Sequence, residues 1–122
     1  MKNLSLLIIC ITIGQAVISQ QTRYYTDSDE KFKEAKEYFQ KEKYSLAYPL
    51  LKELRQDIRE TNKVNQPIVV QEINYYAIVC ALKQNEGRAE EEAQQYIDVE
   101  KNNARVQMMN YHLAEYYFRT EK

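Results

Sequence analysis

Two glycines and two prolines are all that this chain of 122 residues holds. With so few residues that break regular structure, glycine-lined phosphate loops and tight β-hairpins have little to be built from. The single histidine, His112, excludes a two-histidine metal site within the chain. Lysine and arginine number 17 against 18 for aspartate and glutamate, so no excess of either sign points to nucleic acid or to an acidic membrane surface. Strand signals are equally scarce: the β-branched run Ile68, Val69, Val70 is short and leads straight into helical spacing.

One long apolar run opens the chain. In "MKNLSLLIICITIGQAVISQQ" a lone positive charge at Lys2 precedes an apolar stretch from Leu4 to Ile13, and short residues lead up to Ser19. That order predicts a signal peptide over residues 1–19, cleaved after Ser19. A retained membrane anchor needs about 20 consecutive apolar residues, and Thr12, Gly14 and Gln15 interrupt the run. Cys10 lies inside the apolar core behind Leu7, Ile8 and Ile9, with no small residue before it, which argues against a lipid anchor. After cleavage no membrane insertion is expected. Cys80 is then the one remaining thiol, so no intrachain disulfide forms and the exported chain depends on its apolar core.

Beyond Gln20 the composition is rich in Lys, Glu, Gln, Ala and Leu, which predicts an all-α chain with five helices. The first follows an exposed lead-in over residues 20–28, begins at a capping box of Asp27 and Glu30, and ends near Lys41. The second starts about Tyr44 with Ala47, Leu50, Leu51, Leu54 and Ile58 on one stripe. Pro49 should bend its start rather than end it. Pro67 opens the third, which carries Ile73, Tyr76, Ala77, Cys80 and Ala81. The glutamates of "AEEEA" open the fourth, where the helix dipole favours them, and Asn103 caps the fifth.

The stretch "AKEYFQKEK" (35–43) returns as "AEYYFRTEK" (114–122). Aligned on Ala35, Ala77 and Ala114, the odd helices recur at steps of 42 and 37 residues (77 − 35 and 114 − 77). The even helices align on Ala47 and Ala89, each 12 residues after the odd helix's alanine (47 − 35 and 89 − 77). Small residues at both places allow two antiparallel helices to approach closely. A hairpin so formed leaves one apolar face open, which the next hairpin covers. The pattern is that of an α-solenoid of about two and a half repeats.

These positions resemble the tetratricopeptide repeat family: Ala35, Tyr38, Tyr44, Ala47, Leu51 and Leu54 in one unit, Ala77, Cys80, Ala89, Ala93 and Tyr96 in the next, Ala114 and Tyr117 in a third. The resemblance covers residues 29–122. Glu42 stands where the family's turn glycine usually stands, and the first step carries extra residues around Arg59 to Asn65. The stretch "INYYAIVCALKQNEGRAEEEAQQYIDVEKNNARVQMMNYHLAEYYF" is similar to the early part of large exported tetratricopeptide proteins of Bacteroidetes-type bacteria. That implies a piece truncated in its third repeat, placed in the periplasm or at the outer membrane.

No convergent set of nucleophile, base and metal ligands is visible, so neither catalysis, a metal nor a cofactor is expected. Cys80 sits at an inward repeat position and reads as a buried structural thiol. His112 reads as a packing or surface residue. Glu90, Glu91 and Glu92 read as first-turn charge on a solvated helix. The 11 tyrosines and three phenylalanines carry more information. Tyr38, Tyr44, Tyr76 and Tyr117 are expected in the repeat core by spacing, and tyrosine also suits protein interfaces.

In the family, partners bind the inner surface lined by odd helices. Carried over by register, the resemblance implies a protein-binding groove of Phe32, Lys36 and Phe39, then Asn74, Ile78 and Leu82, then Tyr111, Glu115, Phe118 and Arg119. The family's carboxylate clamp falls on Phe32, Lys36, Tyr75, Met108 and His112, of which Lys36 alone could serve. The expected function is a non-catalytic exported scaffold that binds a protein or peptide. Alternatives are a sensory or docking arm of a larger enzyme or receptor, and an envelope component that self-associates through the fifth helix.

Overall fold

A computed structural model describes residues 27–61 and 67–121. The signal peptide expected over 1–19, most of the expected lead-in, the stretch 62–66 and Lys122 lie outside the described residues. Within them the chain is all-α: α1 (Ser28–Gln40), α2 (Tyr44–Thr61), α3 (Pro67–Lys83), α4 (Ala89–Val99) and α5 (Asn103–Thr120). None of these helices is long and apolar enough to cross a membrane.

Caps set the starts. The Asp27 carboxylate accepts a hydrogen bond from the Asp29 amide at 2.9 Å, satisfying one of the free donors of the first turn of α1. At α5 the capping side chain is Asn102, one residue earlier than the sequence spacing puts it. Its Oδ1 accepts from the amides of Ala104 (3.0 Å) and Arg105 (3.2 Å). Helix α2 runs through Pro49 without ending. Pro49 and Ser45, whose carbonyl loses its i+4 donor, are both exposed, so water can serve in place of the missing N–H.

Both helical hairpins close in the same way. Glu42 lies in the left-handed region with φ 56°, its amide bonded to the Phe39 carbonyl (2.9 Å), while the Lys43 amide reaches the Tyr38 carbonyl (2.8 Å). Asn85, with φ 57°, repeats this with bonds from Asn85 to Leu82 (3.3 Å) and from Glu86 to Ala81 (3.0 Å). These paired bonds satisfy the last carbonyls of α1 and α3 and reverse the chain. A left-handed glutamate costs about 1 kcal/mol that glycine does not incur. Glu42→Gly is therefore expected to raise stability by about 0.5–1 kcal/mol, and Asn85→Gly by less, because asparagine tolerates this region. Urea denaturation of the two variants checks the order.

Two apolar clusters form the core. Ala35, Ala47, Leu51, Leu54, Ile73, Ala77 and Cys80 join α1, α2 and α3. Ile78, Val79, Ala81, Leu82, Ala89, Ala93, Tyr96, Met109, Leu113 and Tyr116 join α3, α4 and α5. Helix α3 contributes to both, with every residue from Ala77 to Leu82 buried. It is the central helix, and from Ala77 to Leu82 it is buried on every side, whereas Gln71 in its first half is exposed. Tyr38, Tyr44 and Tyr76 pack on the first cluster and Tyr117 on the second, as their spacing implied.

The helices touch in chain order. Each packs on the next, and in addition α1 contacts α3 and α3 contacts α5; α2 and α4 keep their backbones apart. The side chains of α2 and α4 still meet, through Arg55 Nη1 and Glu92 Oε2 at 2.8 Å. The register of small residues holds for Ala35, Ala47, Ala77 and Ala89, all buried. It fails at Ala114, which is exposed, because no helix among the described residues lies on that side of α5.

Candidate functional site

The contacts between α1, α3 and α5 bring side chains from three distant stretches onto one band. On the α1 side, Lys36 Nζ donates to Glu72 Oε1 at 3.0 Å and lies 5.3 Å from the Phe32 ring centre and 5.8 Å from that of Tyr76. Phe39 meets Tyr76 edge-on at 4.6 Å and Tyr44 at 5.5 Å. Tyr76 leads to Tyr75 (5.5 Å), Tyr75 to His112 (6.2 Å) and His112 to Tyr111 (5.5 Å). A chain of rings thus crosses from α1 through α3 to α5. Edge-to-face pairs of this kind contribute about 0.5–1.5 kcal/mol each beyond their buried area.

Charges pair across the same seam. Lys83 Nζ of α3 donates to Glu115 Oε2 of α5 at 2.6 Å and sits 5.7 Å from the Tyr44 ring centre. Arg119 donates to the Leu82 carbonyl and to Asn85 Oδ1 (3.0 Å), and Arg105 Nη1 lies 3.4 Å from Gln71 Oε1. The hydrogen bond to Glu72 raises the Lys36 pKa, and that from Lys83 lowers the Glu115 pKa. Both groups stay charged at neutral pH.

The ten groove residues implied by the family register divide into four groups. Phe32, Lys36 and Phe39 come together against Tyr76. Glu115 and Arg119 reach α3 from α5. Tyr111 and Phe118 stand out from α5, 62 % and 89 % exposed. Asn74 is half-buried in a separate cleft of about 360 Å³ between α2, α3 and α4, beside Arg55, Glu92 and Tyr96. Ile78 and Leu82 need correcting: at 4 % and 1 % exposure both belong to the core where α4 and α5 pack on α3, with Ile78 at the floor of the Asn74 cleft. The register counted from Ala77 assumed an open flank on α3, and that flank is occupied. The register reached Tyr75 and His112 only as carboxylate-clamp positions; Glu72 and Lys83 are the band residues that it missed. Their partners lie some 30 or more positions away, as with Lys36 and Glu72 (separation 36) or Lys83 and Glu115 (separation 32), so no local spacing marks them.

Among the described residues no group of three or more His, Cys, Asp or Glu could hold a metal ion. Cys80 is fully buried, and burial pushes its pKa up to about 12, so its thiol is not ionised at physiological pH. His112 Nδ1 is buried without a hydrogen-bond partner, 3.8 Å from Glu115 Oε2. Burial holds the imidazole below its ordinary 6.5; Lys83 acts in the same sense and Glu115 opposes them.

The unfolded chain takes up a proton at His112 near pH 6.5 while the fold resists it. This contribution is therefore complete above that pH and declines as pH drops below it. Glu115, held low by Lys83, contributes above about pH 4.5 and is lost on further acidification. Denaturation midpoints are expected to fall between pH 7.5 and 5.5, and His112→Gln to flatten that fall. A wild-type slope in the variant would assign it to other groups.

No protein-family model matches this chain, nor does any curated protein or any solved structure.

Proposed function

We propose that the chain is an exported, non-catalytic helical-repeat scaffold of the tetratricopeptide type, binding a protein or peptide in the periplasm or at the outer membrane. The observation that carries this reading is the contact pattern: odd helices touch each other in series, even helices do not. Stacked hairpins produce that asymmetry. It aligns Lys36, Glu72, Tyr75, Tyr76, Lys83 and His112 along one band of rings and paired charges. Aromatic side chains with polar tips supply contact area at low entropic cost, and Lys36 and Glu115 add charge for orientation. An extended or helical segment of an envelope protein suits such a band.

A photoreactive amino acid placed at Gln71, exposed beside the band, and another at Lys52, exposed on α2, test this in the native host. The proposal expects a discrete protein adduct from position 71, none from position 52, and the chain in the envelope fraction with its N-terminus after Ser19. Adducts from both positions or from neither, or a chain retained in the cytoplasm with residues 1–19 intact, would contradict it.

A further inference from the structure

We infer that the outer face of α5 is a homodimer surface, on which a second copy of this chain lays its own α5 antiparallel across Ala114. The inference rests on the repeat reading above, because it uses the equivalence of α1, α3 and α5.

Among the described residues the stripe is uncovered only on α5. Three residues before, at, and four after the aligned alanine stand Phe32, Ala35 and Phe39 on α1, and Asn74, Ala77 and Ala81 on α3. All six are buried or half-buried. The corresponding Tyr111, Ala114 and Phe118 are exposed, and Met108 beside them is 48 % exposed. An exposed phenylalanine and tyrosine flanking a small residue are the parts of a helix crossing without its second helix.

What fits this face is set by its charge and its symmetry. From Asn103 to Phe118 the exposed positions are Asn103, Ala104, Gln107, Met108, Asn110, Tyr111, Ala114 and Phe118, with no formal charge among them, and the next exposed residue, Arg119, turns its guanidinium to the Leu82 carbonyl and Asn85 of α3. The exposed positions of α1 and α2, by contrast, include Asp29, Glu30, Lys33, Glu37, Lys52, Glu53, Arg59 and Glu60. A neutral face rich in aromatics and methionine has the composition of an interface centre. It can meet its own copy without setting like charges together. Tyr111 and Phe118 lie at nearly equal distances on either side of Ala114. A two-fold axis there places each Phe118 ring beside the other copy's Tyr111, while the two alanines permit close approach and the helix dipoles oppose. A foreign helix would need a matching neutral stripe; a second copy already has it.

Light scattering of the exported chain, residues 20–122, over a wide concentration range tests this, with circular dichroism alongside. The inference expects a mass rising to twice that of the chain. Tyr111→Lys with Phe118→Lys should keep full helicity, since both sites are exposed, and should raise the dimer dissociation constant at least about tenfold. Ala114→Glu, which puts like charges at the crossing, should do the same. A fully helical monomer at every concentration would overturn the inference, assigning the face to some other helix, yet leave the repeat reading standing. Association that persists in both variants would overturn it too, by placing the contact elsewhere. Loss of helicity in the wild-type chain would instead sink the repeat reading itself.

Discussion

Leu51→Ala is expected to lower stability by about 2–5 kcal/mol, a large part of what a domain of this size possesses. Leu51 is fully buried between α1 and α3, in one cluster with Ala35, Ala47, Leu54, Ile73 and Ala77. Three of those neighbours are alanines with no longer rotamer to swing into the space. The cavity would therefore stay open, which favours the upper part of the range. Urea denaturation followed by circular dichroism measures the loss. A change below about 1 kcal/mol would mean that α1 and α3 do not enclose this residue.

Met109→Ala is expected to cost a similar amount, about 2–5 kcal/mol, in the second cluster. Met109 is fully buried where α5 meets α3 and α4, among Leu82, Ala93, Tyr96 and Leu113. Its consequence should differ in kind. Helix α5 packs only on α3 and α4 among the described residues, whereas α3 is clasped by all four others. Weakening the α5 anchor should let that helix exchange its amides ahead of global unfolding, while Leu51→Ala should speed exchange throughout. Uniform acceleration in Met109→Ala would show that α5 has no separate opening.

Much of the helix layout is legible in residue pattern alone. Gly87 falls in the turn before α4, Asp27 caps α1, Pro67 opens α3, and the buried alanines at 35, 47, 77 and 89 mark where backbones come close, while Pro49 lies inside α2. Three features escape that reading for separate physical reasons. Periodicity identifies a helix's apolar face, so it cannot describe the half of α3 from Ala77 to Leu82, which is buried on every side; the family register, counted from Ala77, therefore sets Ile78 and Leu82 in a groove although both are core. Exposure depends on what lies alongside: α5 carries two apolar stripes at helical spacing, Met109, Leu113 and Tyr116 on one and Tyr111, Ala114 and Phe118 on the other, and the first is buried while the second is exposed. Cross-helix partners such as Lys83 and Glu115 depend on how hairpins pack, and carry no short-range signal.

Under the repeat reading proposed above, α1, α3 and α5 are one helix used three times, covered on the first two occasions and open on the third. The most direct measurement is a pair of denaturation curves for Ala77→Leu and Ala114→Leu, taken at concentrations low enough to keep the chain monomeric. The account predicts that Ala77→Leu, forcing three extra carbons into a fully buried site, costs about 1–3 kcal/mol. Ala114→Leu, in the same register but exposed, should change stability by less than about 0.5 kcal/mol. Equal costs at the two positions, or tolerance at Ala77, would contradict the account.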